Sequence, residues 1–311
     1  MQTYKSGLTC FKRFLMMYNY CSDVRLLPNL SESNLIQFVA FCHSIIKVTF
    51  STIQSYLAGI RYFYLRQGSI ICLRNFPVKL DRLNYVRAVK RSQGLDTLNS
   101  SQRLPITADI LYQICYLLRS GYFSPHIDQL MLAVTTFAFF GFLRCGEFTV
   151  CGNFDNCRHL CLDDVSFAVD NSSMKIHLKC SITDYFRAGV DINIFDNVRF
   201  KPGRCMVNYL LLRKRFQAGE ALFVTPDLKP LSRSLCIGYL KQLLIRLGID
   251  SSQYSGHSFR VGAATSAARQ GVSDHLIQSL GRWKSLTYTR YIHVCKAKLK
   301  NAQHAMSRQA L

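Results

Sequence analysis

Ser255-Gly256-His257-Ser258-Phe259-Arg260, followed by Gly281-Arg282-Trp283 and then Tyr288-Thr289-Arg290-Tyr291-Ile292, is the stretch on which the reading of this chain turns. A histidine and an arginine three apart share one face of a helix. A tryptophan and two tyrosines follow within about thirty residues, a span that short connections accommodate. Upstream, Phe140-Gly141-Phe142-Leu143-Arg144-Cys145-Gly146-Glu147 supplies a second arginine behind an apolar run. Arginine neutralises the non-bridging oxygens of a phosphodiester because its fork is bidentate and permanently charged. Histidine titrates near neutrality and can shuttle a proton, and a phenol held in a cationic pocket can act as a nucleophile. Together these side chains are equipped to hold a phosphodiester and attack it.

In this order the residues resemble the tyrosine recombinase (phage-integrase-like) family, whose signature runs Arg, Lys, His-x-x-Arg, His or Trp, Tyr. The wording is most similar to the recombinases of DIRS-type and Crypton-like elements. The resemblance extends from about residue 4 to about residue 295 and is most specific over the last sixty of these. It implies catalytic roles for Arg144, His257, Arg260 and Trp283, with Trp283 in the family's His/Trp slot. Tyr291 is the implied nucleophile in preference to Tyr288, because Arg290-Tyr291-Ile292-His293 is worded as the family words it. Attack would leave a 3′-phosphotyrosine and a free 5′-hydroxyl, with no metal or cofactor needed. Glu147, one turn beyond Arg144, is placed to orient it.

The chain departs from the pattern at the lysine. Lys179-Cys180-Ser181-Ile182-Thr183-Asp184 occupies the turn after the middle strand, and Ile182 stands where the lysine belongs. An isoleucine cannot protonate a departing oxygen. Lys179 is the candidate substitute and Arg187 a weaker one. The resemblance thus implies a site-specific recombinase of a mobile element. The alternative is a decayed or domesticated copy that keeps the fold and binds DNA without chemistry. A nicking-closing, topoisomerase-like enzyme would share the chemistry but matches the motif wording less well.

Bulk properties bound these readings. A length of 311 residues fits two domains with separate cores. Lys and Arg number 39 against 18 Asp and Glu, a net charge of +21, which fits a polyanionic partner, double-stranded DNA above all. No apolar run approaches the roughly 20 residues of a membrane span. The thirteen cysteines are odd in number and scattered, as reduced thiols of a nuclear or cytoplasmic protein would be. Cys157, His159 and Cys161 alternate as on one face of a strand. They are read as half-buried core side chains and not as zinc ligands, so no metal is expected.

The patterning predicts a mainly α protein with a small antiparallel β-sheet (α+β). Residues 1–92 form a helical DNA-clamp domain, 93–105 a polar linker, and 106–311 a catalytic domain ending in a basic tail. Four helices are expected in the first domain. They centre on Phe11, Phe14, Leu15 and Tyr18; on Leu35, Phe38, Val39 and Cys42; on Ile53, Leu57, Ile60 and Tyr64, ended by Gly68; and on Leu80, Leu83 and Val86. Over residues 1–94, 13 Lys and Arg face 3 Asp and Glu. Arg61, Arg87, Lys90 and Arg91 are therefore the expected phosphate contacts. In the second domain, strands are expected over 159–169, 174–179 and 189–195. Helices should start after Thr107, cover 130–142, and recur at 205–216, 232–247, 258–269 and 273–280. In the family a tail such as Val294 to Gln303 packs on a neighbouring protomer, which implies a homo-oligomer, a tetramer, on DNA.

Overall fold

The computed structural model describes residues 2–20, 31–66, 103–170, 172–180, 189–213, 217–283 and 289. The chain divides into two compact units, residues 1–101 and 102–311.

In the first unit, α1 (Gln2–Met17), α2 (Glu32–Ser44) and α3 (Phe50–Arg66) surround one aromatic core. Phe11, Phe14, Phe38, Ile53 and Ile60 are at most 1% exposed, and the Phe11 and Phe38 rings meet edge to face at 5.0 Å. Such a pair adds about 0.5–1.5 kcal/mol beyond its area burial. Ser31 caps α2, its hydroxyl accepting the Asn34 N–H at 3.1 Å. Gly7 permits α1 to press on α3, because a Cβ there would lie 2.7 Å from the Tyr56 Cα. Arg61 is half-buried on α3. The expected fourth helix, with Arg87, Lys90 and Arg91, lies outside the described residues.

The second unit begins with a strap. Leu104 N–H donates to Gln253 O at 2.9 Å and Ile106 N–H to Ser258 O at 3.0 Å. The strap needs Gly262 beneath it, where a Cβ would stand 1.8 Å from the Ile106 carbonyl oxygen. Thr107 then caps α4 (Ala108–Arg119). Ser124 caps α5 (Pro125–Phe140), which opens with proline at its first turn, where a missing N–H costs nothing. Almost every side chain from Leu130 to Phe139 is buried, so α5 is the central helix of the unit. It packs against α4, α7 (Pro202–Leu212) and α9 (Ser258–Arg269).

After the single turn α6 (Cys145–Phe148), β1 (Val165–Phe167), β2 (Ser173–Leu178) and β3 (Val190–Phe195) form an antiparallel sheet in the order β1-β2-β3. Met174, Ile176 and Leu178 are buried while Lys175 and His177 are exposed, as the period-two pattern predicts. Asp191 on β3 takes Lys175 Nζ at 2.7 Å and His177 Nδ1 at 2.8 Å across the strands.

The first strand is shorter than expected. Cys157, His159 and Cys161 do not alternate on a strand, because aspartates turn the chain there. Asp155 Oδ1 accepts the Cys157 N–H at 3.0 Å, and Asp164 Oδ2 accepts the Cys161 N–H at 2.7 Å, which starts a 3₁₀ turn at Leu162–Asp164. Among the described residues no three His, Cys, Asp or Glu side chains converge as metal ligands would. Among the described residues of this unit the remaining α-helices are α8 (Arg233–Arg246), capped by Ser232, and α10 (Asp274–Gly281). No helix among the described residues is long and apolar enough to cross a membrane.

Candidate active site

The site begins where α5 ends. Phe142 takes a left-handed backbone (φ 49°), unusual for a bulky side chain, and the chain reverses into α6. Arg144 is the N-cap of α6 and Glu147 its third residue. Glu147 Oε2 accepts the Arg144 backbone N–H at 2.8 Å while Oε1 accepts Arg144 Nη1 at 3.0 Å. The carboxylate is 3% exposed and the guanidinium 19%, so the buried partner fixes the more accessible one. Glu147 and Arg144 are thus in direct contact through both backbone and side chain.

His257 and Arg260 come from the start of α9, held by the Ser255–Ser258 turn, in which Ser258 Oγ accepts the Ser255 N–H at 3.0 Å. His257 is half-buried. Its pKa lies below the ordinary 6.5, chiefly because burial disfavours the imidazolium, and further because Arg260, Arg144 and Arg233 repel a positive ring. The ring is therefore neutral at pH 7 and able to accept a proton.

Arg260 is fully buried. Nη1 donates to the Phe142 carbonyl at 2.5 Å and Nη2 to the Gly281 carbonyl. Its Cζ lies 4.3 Å from the centroid of the Trp283 ring, a cation–π contact. Trp283 also meets Phe142 edge to face at 6.2 Å. Gly281 makes this geometry possible, since a Cβ there would fall 1.6 Å from Trp283 Cζ3. Arg260 thus lies deeper than a surface phosphate ligand and braces the loop that carries Arg144.

Arg144, Glu147, His257, Arg260 and Trp283 are brought together. Lys179 is engaged elsewhere: its ammonium lies 2.7 Å from Asp164 Oδ2 and donates to the Asn156 carbonyl at 2.9 Å. Burial opposes the charged form, but the contacts with Asp164 and Cys161 outweigh it and raise the lysine pKa, which makes it a weaker acid. Tyr288, Tyr291, Ile182 and Arg187 lie outside the described residues.

Two residues went unread in the sequence. Arg233 is one of the charges that depress His257. Arg282, with a left-handed backbone (φ 56°), reaches Glu147 Oε2 with Nη2 at 3.1 Å and the Gly141 carbonyl with Nη1 at 3.0 Å. Its place between Gly281 and Trp283 was its only signal.

Residues 196–298 match the model of the phage integrase family. Among solved structures, the XerH site-specific recombinase bound to a palindromic difH substrate superposes with a TM-score of 0.66 at 16% identity, over 99% of this chain and 80% of that one. The Tn1549 transposon integrase in complex with transposon right end DNA gives 0.61 at 14% identity, over 100% and 99%. A lambda integrase dimer bound to a COC′ core site gives 0.51 at 19%, over 93% and 77%. No curated protein matches the chain. The fold is that of the tyrosine recombinases, with the expected mainly helical architecture and three-stranded antiparallel sheet. The match over residues 196–298 and the fold agree with the tyrosine recombinase resemblance read from the motifs.

Proposed function

We propose that the protein is a site-specific DNA recombinase of a mobile element, of the DIRS-type or Crypton-like kind, that cuts and rejoins duplex DNA through a 3′-phosphotyrosine on Tyr291. The observation that carries this reading is the convergence of Arg144, on the loop after α5, with His257 and Arg260 at the start of α9, Arg260 being bonded to the carbonyl of Phe142, 118 positions away in sequence. Arg144 and Arg260 would neutralise the phosphate, directly or through the loop they hold, and neutral His257 would take the phenolic proton. Trp283 would keep Arg260 in place. Residues 1–92 would clamp the duplex through Arg61, Arg87, Lys90 and Arg91, joined by the 93–105 linker to a catalytic domain over 106–311. The DNA ligands of the XerH, Tn1549 and lambda complexes support duplex DNA as the partner. A tetramer on DNA, in the nucleus or cytoplasm, completes the reading.

A second reading has its own support. With Ile182 in the lysine position and Lys179 engaged by Asp164, the chain is short of a general acid, as a copy retained for DNA binding would be. The test is incubation with a nicked suicide duplex built from the element's termini. A covalent adduct on a denaturing gel, absent with Tyr291→Phe, supports the recombinase. Tight binding with no adduct supports the second reading.

A further inference from the structure

Glu147 serves two guanidiniums at once. Oε1 holds Arg144 at 3.0 Å, and Oε2, already accepting the Arg144 backbone N–H, also takes Arg282 at 3.1 Å. All three side chains are secluded, at 19%, 3% and 14% exposure for Arg144, Glu147 and Arg282. The Arg144 backbone N–H and guanidinium already engage both carboxylate oxygens. Arg282, from the end of α10, adds a second cation to the oxygen that does not hold the Arg144 guanidinium.

The backbone of Arg282 points the same way. It is the C-cap of α10 in the left-handed region, where glycine or asparagine sits without strain. An arginine accepts that conformation at a cost, and its side chain is the compensation. Nη1 donates to the Gly141 carbonyl at 3.0 Å, and Nη2 leans on the Phe142 carbonyl at 3.4 Å. Arg282 therefore ties α10 to the α5–α6 loop from which Arg144 projects. Its Nε is buried and without a hydrogen-bond partner among the described residues, a donor left unmet in a site otherwise closely bonded.

We propose that Arg282 is a positioning residue of strand cleavage, acting through Glu147 to hold the Arg144 guanidinium toward the phosphate. The role rests on the recombinase reading above. It also explains why an arginine, and no smaller residue, stands between Gly281 and Trp283. Trp283 stacks against Arg260, and Arg282 bonds the Glu147 carboxylate that holds Arg144.

The test is the single-turnover rate of adduct formation on the nicked duplex at saturating DNA, for the parent, Arg282→Gln, Arg282→Lys, Glu147→Gln and the double Arg282→Gln/Glu147→Gln protein, each with its melting temperature. A misplaced phosphate ligand costs on the order of 10²-fold, so Arg282→Gln should lose about that much rate. Arg282→Lys should recover part of it. Because the effect runs through Glu147, the double variant should cleave no more slowly than Glu147→Gln alone, even where Arg282→Gln lowers the melting temperature. A parental rate for Arg282→Gln, or losses that multiply in the double variant, would overturn the proposal.

Orthovanadate titration by calorimetry covers a parent that forms no adduct. If the parent binds vanadate and Arg282→Gln binds it about tenfold more weakly, the positioning role stands although the chemistry does not. Equal vanadate affinities, or none in the parent, would sink the role itself.

Discussion

The Arg260 guanidinium faces the Trp283 indole at 4.3 Å, fully buried, with its two terminal nitrogens bonded to the carbonyls of Phe142 and of Gly281, the last residue of α10. A charge taken out of water this completely is tolerated only with good partners on all sides. Trp283 is therefore part of the bonding of Arg260, and the two side chains stand or fall together.

Trp283→Ala should destabilise the second unit by about 3–5 kcal/mol, since it leaves a large cavity beside a buried charge. Trp283→Phe keeps an aromatic face and should cost less than half of that. Gly281→Ala should behave like the alanine variant, because its methyl group would collide with the indole. Thermal unfolding followed by tryptophan-independent circular dichroism ranks the three. A Trp283→Ala protein as stable as its parent would show that Arg260 needs no such partner.

The depressed pKa of His257 gives the site an acid limit. Its folded pKa lies below the unfolded value of 6.5, so the unfolded chain binds the proton more tightly. The stability tied to the neutral ring is fully present above pH 6.5 and is lost as pH falls through the lower folded value. Adduct formation should follow the same limb, staying level from pH 7 upward and declining only below 6.5. Titration of the His257 ring by NMR locates the midpoint. His257→Gln should remove the acid limb of the stability curve. A midpoint above 6.5 would mean that a carboxylate faces the ring in solution.

Much of the fold is legible in the sequence because its elements follow simple periodicities. The 258–269 helix has the limits its pattern suggests, and the helix expected after Thr107 starts there, capped by the Thr107 hydroxyl. The stretch at 157–161 misleads because alternation alone does not make a strand. Asp155 and Asp164 offer the backbone local side-chain acceptors, and these outcompete a ladder. Within the site, Arg144 and Arg260 are reached only through the family resemblance, as no periodicity links residues 116 apart. Arg282 escapes a reading of the sequence because, apart from its place between Gly281 and Trp283, nothing marks one more arginine in a chain of +21. Its meaning lies in a left-handed backbone and in Glu147, which only the folded chain brings to it.

The charge excess of the first hundred residues predicts strongly salt-dependent binding to duplex DNA. Each phosphate-binding cation removed should reduce the slope of log affinity against log salt by about 0.9. Replacing Arg87, Lys90 and Arg91 together by glutamine should therefore flatten the slope by up to roughly three phosphates' worth, with little change in melting temperature. Fluorescence anisotropy between 50 and 200 mM salt, on the order of the range over which such binding is usually resolved, measures it. An unchanged slope would place the DNA-facing surface elsewhere.

The general acid is the sharpest question about chemistry. Lys179 is held by Asp164 and by the Asn156 carbonyl, and its raised pKa makes proton donation harder. Lys179→Ala should accordingly leave adduct formation within about threefold of the parent, far from the 10²–10⁴-fold that loss of a working general acid costs. Ile182→Lys should do the reverse. An ammonium at position 182 would supply the missing proton, and the rate should rise by as much as roughly 10²-fold. Tyr291→Phe, which removes only the nucleophilic oxygen, should abolish the adduct in both backgrounds without weakening DNA binding. Three results would redraw the site. If Lys179→Ala kills cleavage, the lysine leaves Asp164 when DNA binds and is the acid after all. If Ile182→Lys does nothing in an inactive parent, the loss of function reaches beyond that turn. If the adduct survives Tyr291→Phe but not Tyr288→Phe, the nucleophile lies three residues earlier than the Arg290-Tyr291-Ile292 wording implies.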